Sequence, residues 1–598
     1  MKITDIVSPD DIKDMSIDNL NKLCDDIRVY LINSLSKTGG HMSSNLGIVE
    51  LTVALHYVFN SPKDKFIFDV GHQSYTHKIL TGRAKQFENL RKKDGLSGFI
   101  KYNESPHDVW EAGHSSTSLS AACGFLEAKA NGEDIGEVIT IIGDGSITNG
   151  LSFEALNYLG SQKNQKAIII LNDNDMSISQ NVGRLSKSLS KIRIRKSYSL
   201  FKKITPYFVH RHFKNLKTAI RSYVYNPSIF SALGYKYYGP IDGHNLKDLI
   251  KYLEFAQSST TTVVLHVKTV KGKGYEFSEN DKVGSWHGVG PFDIVSGKQI
   301  NKPKEGMISW GAGICNLLIE KASENIRVIT PAMISGSNLT KFQEKYPQYL
   351  IDVGIAEEHA VVMAASMSRN NLIPIVSIYS TFMQRAYDEI SHDVCRNKNH
   401  VIFLVDRSGI NGGDGSTHQG IFDVSFLSHL PNMVITMPKN LSEARILLDM
   451  AIKYNGPFVI RYPKGNTVNV FDNFKPFEFG NWEEVLPIGK KNIITYGDEV
   501  NKYYEVLKNK NIGLINARFI KPIDKKMLEK LKNKNVYVVE EVIRNGSLGS
   551  LILDYNNRNN LNMNLKTFAI DDIYLDSGST EELRKELKLD VDSILENI

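Results

Sequence analysis

Two short polar segments of this sequence have the residue types of a magnesium-diphosphate site. The first is Gly143-Asp144-Gly145 and the second is Asn172-Asp173-Asn174. A carboxylate and an amide oxygen are hard ligands of the kind that Mg²⁺ prefers, and flanking glycines let the backbone approach a phosphate closely. We therefore predict that Asp144 and Asn174 hold Mg²⁺ bound to a diphosphate.

The neighbouring elements support this interpretation. The polar segments directly follow apolar runs, 138–142 and 167–171, which are typical of buried parallel strands, and residues 151–160 have apolar positions at helical spacing. A strand-helix-strand unit of this kind brings both strand ends to the edge of an α/β sheet where ligands bind. Without that context, Gly-Asp-Gly would more often be only a tight turn.

Composition favours a cytoplasmic enzyme of several domains. The chain has 598 residues, which is enough for about three to five domains, and a net charge of +6. The first twenty residues lack a signal pattern, and no apolar run is long enough to cross a bilayer. The four cysteines are scattered without a CxxC pair, which predicts reduced core residues and neither zinc nor disulfides.

One segment departs from this average charge. Residues 176–241 contain thirteen Lys or Arg and no Asp or Glu, so the rest of the chain has a net charge of 6 − 13 = −7. Clustered positive charge could bind nucleic acid or an anionic membrane. Its position directly after the metal loop favours instead a solvated lid that attracts anionic substrates, so we expect neither nucleic acid nor membrane as a partner.

Strand and helix patterns alternate throughout the chain and predict an α/β fold. Polar or Pro/Gly-containing links divide it into three predicted domains, 1–304, 305–478 and 479–598. The first two are predicted to be doubly wound parallel sheets and the third a smaller α/β domain.

With these features in place, the sequence resembles the thiamine diphosphate enzymes of the transketolase superfamily, and within it the 1-deoxy-D-xylulose-5-phosphate synthase family. The resemblance runs nearly end to end and is an ordered series of motifs, which is more specific than any one of them. The motifs are Asp69–Arg83, Gly113–Ser118, the pair Asp144 and Asn174, Gly239–His244, Val353–Ala360, Tyr379–Asp388, Asp406–Gly420 and Arg461–Asn466.

The resemblance implies a transferase that joins pyruvate to D-glyceraldehyde 3-phosphate with loss of CO₂, giving 1-deoxy-D-xylulose 5-phosphate. This is the first step of non-mevalonate isoprenoid synthesis and a supply for thiamine and pyridoxal. It also implies thiamine diphosphate and Mg²⁺ as cofactors, two thiamine diphosphate-binding domains followed by a transketolase C-terminal-like domain, and a cytoplasmic homodimer.

The resemblance assigns roles to particular residues. The Mg²⁺ ligands are Asp144, Asn174 and the carbonyl of Met176. The cofactor contacts are His72, Gly113, His114, Ser115, Gly145, Ser146, Asn174, Tyr275, Glu357 and Phe382. The catalytic residues are Glu357, His41, His287, His418 and Arg385. The substrate contacts are Tyr379, Arg407, Asp414 and Arg461, of which the two arginines take the phosphate.

Glu357 has the clearest chemical role in this set. Activation of the cofactor needs one carboxylic acid in a dry pocket, because burial raises the pKa and keeps a proton available for the remote pyrimidine nitrogen. Glu357 precedes the apolar helix pattern 360–367. As an isolated residue it would be read as a helix N-terminal charge stabilised by the dipole. The motifs around it favour the acid.

Two other functions remain open at this stage. A sugar transketolase would use a ketose phosphate donor in place of pyruvate, although Tyr379–Asp388 and Asp414–His418 favour the synthase. A non-catalytic member of the fold could act as a binding or regulatory protein, although an intact metal pair and Glu357 argue against it.

Overall fold

The computed structural model describes residues 2–174, 229–300, 305–468 and 476–598. The chain forms two compact units, one of Met1–Leu90 with Gly98–Ile300 and one of Arg91–Ser97 with Asn301–Ile598. Most of the basic segment lies outside the described residues, as does Met176, so the predicted lid and the third metal ligand stay predictions. Within the described ranges, no helix combines the length and apolarity needed to span a bilayer.

The first unit contains a five-stranded sheet in the order β1-β2-β3-β5-β4, in which every neighbouring pair is parallel. Its strands are β1 Lys65–Phe68, β2 Val138–Gly143, β3 Ile168–Asp173, β4 Lys236–Asp242 and β5 Val263–Lys268. The described helices of this unit include Ile17–Thr38, Met42–Gly47, Val49–Val58, Tyr75–Lys78, Ser118–Ala130, Gly150–Ser161, Ile229–Ala232, Leu246–Gln257 and Glu276–Glu279.

The predicted strand-helix-strand unit is confirmed. Strands β2 and β3 are parallel neighbours joined through the helix Gly150–Ser161, and Gly143 lies opposite Asn172 in the register. The strands form because their side chains are apolar on both faces, and nearly all of them are buried between helices. The polar segments after both strands therefore lie side by side.

A glycine turn positions the next polar loop. The helix Ile17–Thr38 ends at Gly39, where φ is 71° and a Cβ atom would lie 2.5 Å from the carbonyl oxygen of Val289. Only glycine fits such a turn without strain. Gly40 and Val289 then exchange two backbone hydrogen bonds of 2.9 Å. The segments that carry His41 and His287 are thereby held next to each other.

The second unit contains a seven-stranded sheet in the order β17-β11-β12-β10-β9-β7-β8, parallel except for the pairing of β17 with β11. The strands of this sheet are β7 Ile326–Thr330, β8 Leu350–Asp352, β9 Ile373–Tyr379, β10 Ile402–Asp406, β11 Val434–Thr436, β12 Phe458–Arg461 and β17 Phe519–Lys521. The helices around it include Trp310–Lys321, Thr340–Lys345, Glu357–Ser368, Ser380–Met383, Tyr387–Glu389, Asp423–Ser428 and Leu441–Lys453.

The same unit holds a five-stranded sheet in the order β14-β16-β15-β18-β19 and a small pair of β6 with β13. Their strands are β6 Met307–Ser309, β13 Asn466–Val468, β14 Glu483–Leu486, β15 Lys491–Thr495, β16 Gly513–Asn516, β18 Asn535–Ile543 and β19 Asn564–Ile570. The helices are Glu499–Leu507, Lys525–Lys530, Leu548–Asn559, Thr580–Glu586 and Val591–Glu596. Parallel sheets with helices confirm the predicted α/β class. Because β17 joins the seven-stranded sheet, the predicted third domain shares a sheet with the second.

Candidate active site

Two of the predicted metal ligands, Asp144 and Asn174, lie at the carboxyl edge of the sheet in the first unit. Asp144 is 2% exposed, its backbone N–H donates to the carbonyl of Asn172 at 3.1 Å, and its Oδ1 accepts from the N–H of Gly145 at 3.0 Å. Asn174 follows the end of β3. The described residues contain no group of three His, Cys, Asp or Glu side chains able to hold a metal. A site here would need amide, backbone and phosphate oxygens to complete it, as Mg²⁺ accepts.

A network of polar contacts surrounds Asn172 and Asp173 at the end of β3. The carboxylate of Asp173 lies 2.6 Å from His266 Nε2 and 3.0 Å from Lys268 Nζ. The hydroxyl of Thr269 donates to Asn172 Oδ1 at 2.7 Å. Although burial alone would raise the pKa of Asp173, these partners hold it well below its ordinary value. The end of β3, directly before Asn174, is therefore held by contacts to His266 and Lys268 of strand β5.

Lys271 is a residue of this region that the sequence argument missed. Desolvation lowers the pKa of its ammonium group to about 8, and the carboxylates of Asp144 and Asp281 partly oppose that shift. A lysine within electrostatic reach of Asp144 suits a diphosphate. The sequence alone does not distinguish Lys271 from the nearby Lys268 and Lys273.

The predicted diphosphate loops are brought together. Ser116 donates its hydroxyl to the carbonyl of Ser146 at 2.8 Å, and its N–H to the Asp69 carboxylate at 2.9 Å. Gly113 has a φ of 92° and donates its N–H to Val70 at 2.8 Å. The segment that contains Gly113, His114 and Ser115 therefore lies beside Gly145 and Ser146, as expected for two loops that share one ligand.

Three histidine rings form a cluster in the same unit. The ring centroids of His41 and His72 are 5.5 Å apart, those of His41 and His287 are 5.9 Å apart, and those of His72 and His287 are 5.2 Å apart. His41 Nδ1 lies 3.3 Å from the hydroxyl of Tyr75. Burial, followed by the charge of Lys271, lowers the pKa of His72 to about 3, so this ring is neutral at physiological pH.

Tyr275 is mainly a packing residue in the described structure. Its ring contacts Trp286 and Phe292, and its hydroxyl donates to the carbonyl of Ile294 at 3.0 Å. It is 7% exposed. The predicted cofactor contact of Tyr275 stays a prediction, and the hydroxyl already has a partner.

In the second unit, Glu357 is the first residue of the helix Glu357–Ser368. The side chain is buried, and Oε2 has no hydrogen-bond partner among the described residues, with Arg385 Nη1 at 3.7 Å. Burial raises the pKa of Glu357 to about 7, although Arg385 opposes the shift. Because helix N-termini favour the charged form, desolvation outweighs the dipole here. Glu357 thus has an acid proton available near neutral pH.

Aromatic and cationic side chains gather at the ends of strands β9 and β10. The rings of Tyr379 and Phe382 stack with centroids 5.4 Å apart, and Phe382 meets His418 edge-on at 5.6 Å. The guanidinium carbon of Arg407 lies 4.0 Å from the centre of the Tyr379 ring. This places four predicted site residues in one group. The apolar ring faces could hold a flat heterocycle, and the cation could hold an anion.

Asp414 lies in the middle of several cations. Its carboxylate contacts Arg91, and lies 3.7 Å from both Arg407 Nη1 and Lys464 Nζ. Arg91 also donates to the carbonyl of Gly413 at 3.2 Å. Burial alone would raise the pKa of Asp414, but Arg91, Lys464, His418 and Arg407 hold it well below its ordinary value. The cluster carries more positive than negative charge and suits a phosphate.

The expected phosphate contact of Arg461 is not supported by the structure. Arg461 is 1% exposed and donates from Nε and Nη2 to the two oxygens of Asp423, both at 2.8 Å. Asp423 also accepts from the hydroxyl of Ser408, next to Arg407. One edge of the guanidinium is committed to Asp423, and Nη1 lies 3.3 Å from Met437 Sδ. In this structure Arg461 therefore supports the loop, and its phosphate contact stays a prediction.

Two cations of this cluster were missed. Lys464 lies in the quoted Arg461-Tyr-Pro-Lys-Gly-Asn466 motif and its side chain is 46% exposed, so the motif pointed to this cluster, although it did not distinguish Lys464 from Arg461. Arg91 stands in an ordinary loop 323 positions before Asp414. No local pattern could have identified it.

The three parts of the chain match known family models. Residues 3–269 match the model of 1-deoxy-D-xylulose-5-phosphate synthase. Residues 308–469 match the transketolase pyrimidine binding domain, and residues 487–594 match the transketolase C-terminal domain. Together with the α/β sheets and the buried acid, these matches define a transketolase-type transferase.

Full-length relatives narrow this class. Two 1-deoxy-D-xylulose-5-phosphate synthases, from Bacillus cereus (strain AH820) and Macrococcus caseolyticus (strain JCSC5402), are each 44% identical to this chain. Both matches cover 100% of this chain and 98% of the relative's length. The chain belongs to the 1-deoxy-D-xylulose-5-phosphate synthase family. A solved transketolase from Campylobacter jejuni is 17% identical, with a TM-score of 0.42 over 98% of this chain and 99% of the transketolase chain.

Proposed function

We propose that the chain joins pyruvate to D-glyceraldehyde 3-phosphate with release of CO₂, giving 1-deoxy-D-xylulose 5-phosphate for isoprenoid, thiamine and pyridoxal synthesis. Family membership supports the reaction. The structural observation that carries the proposed mechanism is the buried Glu357, whose Oε2 has no hydrogen-bond partner within the described ranges. Thiamine diphosphate, when bound, supplies a nucleophilic thiazolium carbon and an electron sink for decarboxylation. The protein must hold protons, anions and the cofactor.

Glu357 would hold the proton that activates the cofactor. With its pKa raised to about 7, the carboxyl group is able to donate a proton from Oε2 to a pyrimidine nitrogen near neutral pH and to take it back. Phe382 would contact the pyrimidine through its ring face. Arg385, at 3.7 Å from Glu357, would stabilise the ionised form of the acid between these transfers.

The diphosphate end needs a cation and donors. We assign Mg²⁺ to the oxygens of Asp144, Asn174 and the backbone of Met176, with phosphate oxygens and water completing the coordination. The donor types fit a diphosphate, because the loops offer backbone N–H groups, hydroxyls and a lysine. The residues assigned to this end are His72, Gly113, His114, Ser115, Gly145, Ser146, Lys271 and Tyr275.

The substrates need acid-base groups and an anion site. We assign His41 and His287 to the pyruvate-derived part, where their rings can hold or move a proton. For the acceptor, Tyr379, Asp414 and His418 would contact the aldehyde and hydroxyl oxygens. Arg407 would bind the phosphate together with Lys464, which replaces Arg461 in this role.

Assigning the phosphate contact to Lys464, and a structural role to Arg461, gives a prediction for each residue. Lys464→Met is expected to raise KM for D-glyceraldehyde 3-phosphate on the order of tenfold and to leave KM for pyruvate unchanged, because one phosphate contact is lost. Arg461→Met is expected instead to lower the melting temperature, since it leaves the buried Asp423 carboxylate without its cation, at a cost of about 3–5 kcal/mol. Steady-state kinetics and thermal unfolding measure the two effects. An unchanged KM for the aldehyde in Lys464→Met would refute this assignment.

The reaction itself is tested with the two substrates. Incubation with thiamine diphosphate, Mg²⁺, pyruvate and D-glyceraldehyde 3-phosphate is expected to release CO₂ and form 1-deoxy-D-xylulose 5-phosphate. Ketol transfer from xylulose 5-phosphate without CO₂ release would show a sugar transketolase. No turnover and no thiamine diphosphate binding by calorimetry would show a non-catalytic binding protein.

We further propose that the protein is a cytoplasmic homodimer, by analogy with the superfamily. Sedimentation of the purified chain at micromolar concentration is expected to give twice the chain mass of 67.2 kDa. A species of single-chain mass under these conditions would contradict the dimer.

A further inference from the structure

The loop 407–420 of the second unit carries three of the residues assigned to the acceptor, namely Arg407, Asp414 and His418. Its ends are held by Gly409 and Gly420, which exchange backbone hydrogen bonds of 2.7 and 2.9 Å. This bridge fixes the start and end of the loop. Its two hydrogen bonds do not involve the carbonyl of Arg407, two residues before the bridge, or that of His418, two residues before Gly420.

One side chain inside the loop makes those connections. Asn411 is 7% exposed, and its Nδ2 donates to the carbonyl oxygens of Arg407 at 2.6 Å and of His418 at 3.1 Å. The carbonyl of Gly409 lies 3.4 Å from the same nitrogen. Because all three neighbours are acceptors, the orientation of the amide is determined by its contacts.

The remaining polar atoms of Asn411 show what the side chain is used for. Its backbone N–H donates to Gln419 Oε1 at 2.8 Å. Its Oδ1 is buried and has no hydrogen-bond partner in the described part of the chain. A buried acceptor without a hydrogen bond destabilises the fold. The two hydrogen bonds that Nδ2 donates to Arg407 and His418 offset this effect.

Arg407 needs this support because its backbone is strained. Its φ is 58°, in the left-handed region that a non-glycine residue enters at a cost. The N–H of Arg407 donates to Asp406 Oδ1 at 2.7 Å, and its carbonyl is held by Asn411. Both ends of the residue are therefore fixed, which directs the guanidinium over Tyr379.

We propose that Asn411 is a positioning residue for the acceptor site, which sets the spacing between Arg407 and His418 through one amide group. The inference rests on the proposed role of Arg407 at the acceptor phosphate. It adds that phosphate recognition depends on a side chain that does not itself contact the substrate.

The test compares two acceptors, D-glyceraldehyde 3-phosphate and unphosphorylated D-glyceraldehyde. Asn411→Asp keeps the shape and replaces the donor by an oxygen that repels the carbonyls. The ratio of kcat/KM for the phosphorylated over the unphosphorylated acceptor is expected to fall on the order of tenfold, since small displacements of a binding group are costly. Asn411→Leu, which has a side chain of similar size without a charge or a donor, is also expected to lower this ratio.

Asn399 provides a matched control. It is also 7% exposed, and its Nδ2 donates to the carbonyl of Asp393 at 2.6 Å. Its Oδ1 is buried and has no hydrogen-bond partner in the part of the chain that the structure describes. Asn399→Asp is expected to lower the melting temperature and to leave the acceptor ratio unchanged. This control separates loss of stability from loss of positioning.

The Arg407→Met variant tests the phosphate role of Arg407 separately from the positioning role of Asn411. If Arg407→Met leaves the acceptor ratio unchanged, the proposed phosphate site is wrong. If Arg407→Met lowers the ratio and neither Asn411 variant does, the positioning role is wrong. Failure of both Asn411 variants to fold would also overturn it, because it would show that Asn411 serves the stability of the whole unit.

Discussion

Replacing Glu357 with glutamine is expected to lower kcat by a factor on the order of 10³, because the variant has the shape of the acid without its proton. The carboxyl is buried, its pKa is raised to about 7, and Oε2 has no hydrogen-bond partner among the described residues. Binding of thiamine diphosphate, measured by calorimetry, is expected to change far less than kcat. Full turnover by the Glu357→Gln variant would contradict the role of the activating acid.

The same substitution has an expected effect on stability that does not depend on activity. The folded pKa of about 7 is above the ordinary value of 4.5, so the folded state binds more protons than the unfolded state between these two values. The penalty for burying the carboxylate is absent below pH 4.5, grows as the pH rises, and reaches about 3 kcal/mol above pH 7. Glu357→Gln is therefore expected to stabilise the cofactor-free protein more at pH 8 than at pH 5. Melting temperatures of both proteins across this range measure the difference.

Glu358 is the control for the turnover experiment. It is the next residue in the helix and is only partly buried. Glu358→Gln is expected to keep turnover within about twofold, since partly exposed carboxylates contribute little. Equal losses in the two variants would point to a general effect of charge at this helix end.

The second large effect is expected at Asp144. Asp144→Ala removes the only carboxylate of the proposed metal set, so the affinity for thiamine diphosphate in the presence of Mg²⁺ is expected to fall by about 100-fold or more. Calorimetric titration measures it. Chelation of Mg²⁺ from the unaltered protein is expected to cause a similar loss.

Asp242 offers a comparison at the same sheet edge. It is the last residue of β4 and is exposed, whereas Asp144 follows β2 and is buried. Asp242→Ala is expected to leave cofactor affinity unchanged. If Asp144→Ala binds the cofactor as tightly as the unaltered protein, the metal is held elsewhere.

Much of the fold followed from local sequence pattern. Strands β2 and β3 are apolar without interruption and end in polar loops, so both their burial and their neighbouring positions could be predicted. The strand β17 could not be assigned in the same way. Its pairing with β11 is antiparallel and joins residues more than eighty positions apart, and no local pattern encodes such a pairing.

Residue type together with sequence context was enough to propose the metal and acid roles. Asp144 directly follows an apolar strand pattern and Glu357 precedes an apolar helix pattern, and the structure finds both side chains buried. Arg461 shows the limit, since its sequence motif does not reveal that Asp423 already occupies its guanidinium. Lys464, three positions later, is more exposed and lies near Asp414, and both properties depend on its three-dimensional neighbourhood.

The segment Arg91–Ser97 matters if this protein is expressed as two separate fragments. It belongs to the compact unit formed by residues 301–598, although it lies far earlier in the chain. A gene split after residue 300 would therefore give a carboxyl-terminal fragment without the guanidinium of Arg91 beside Asp414. The chain enters the second unit twice. A two-gene version would have to supply that cation in trans.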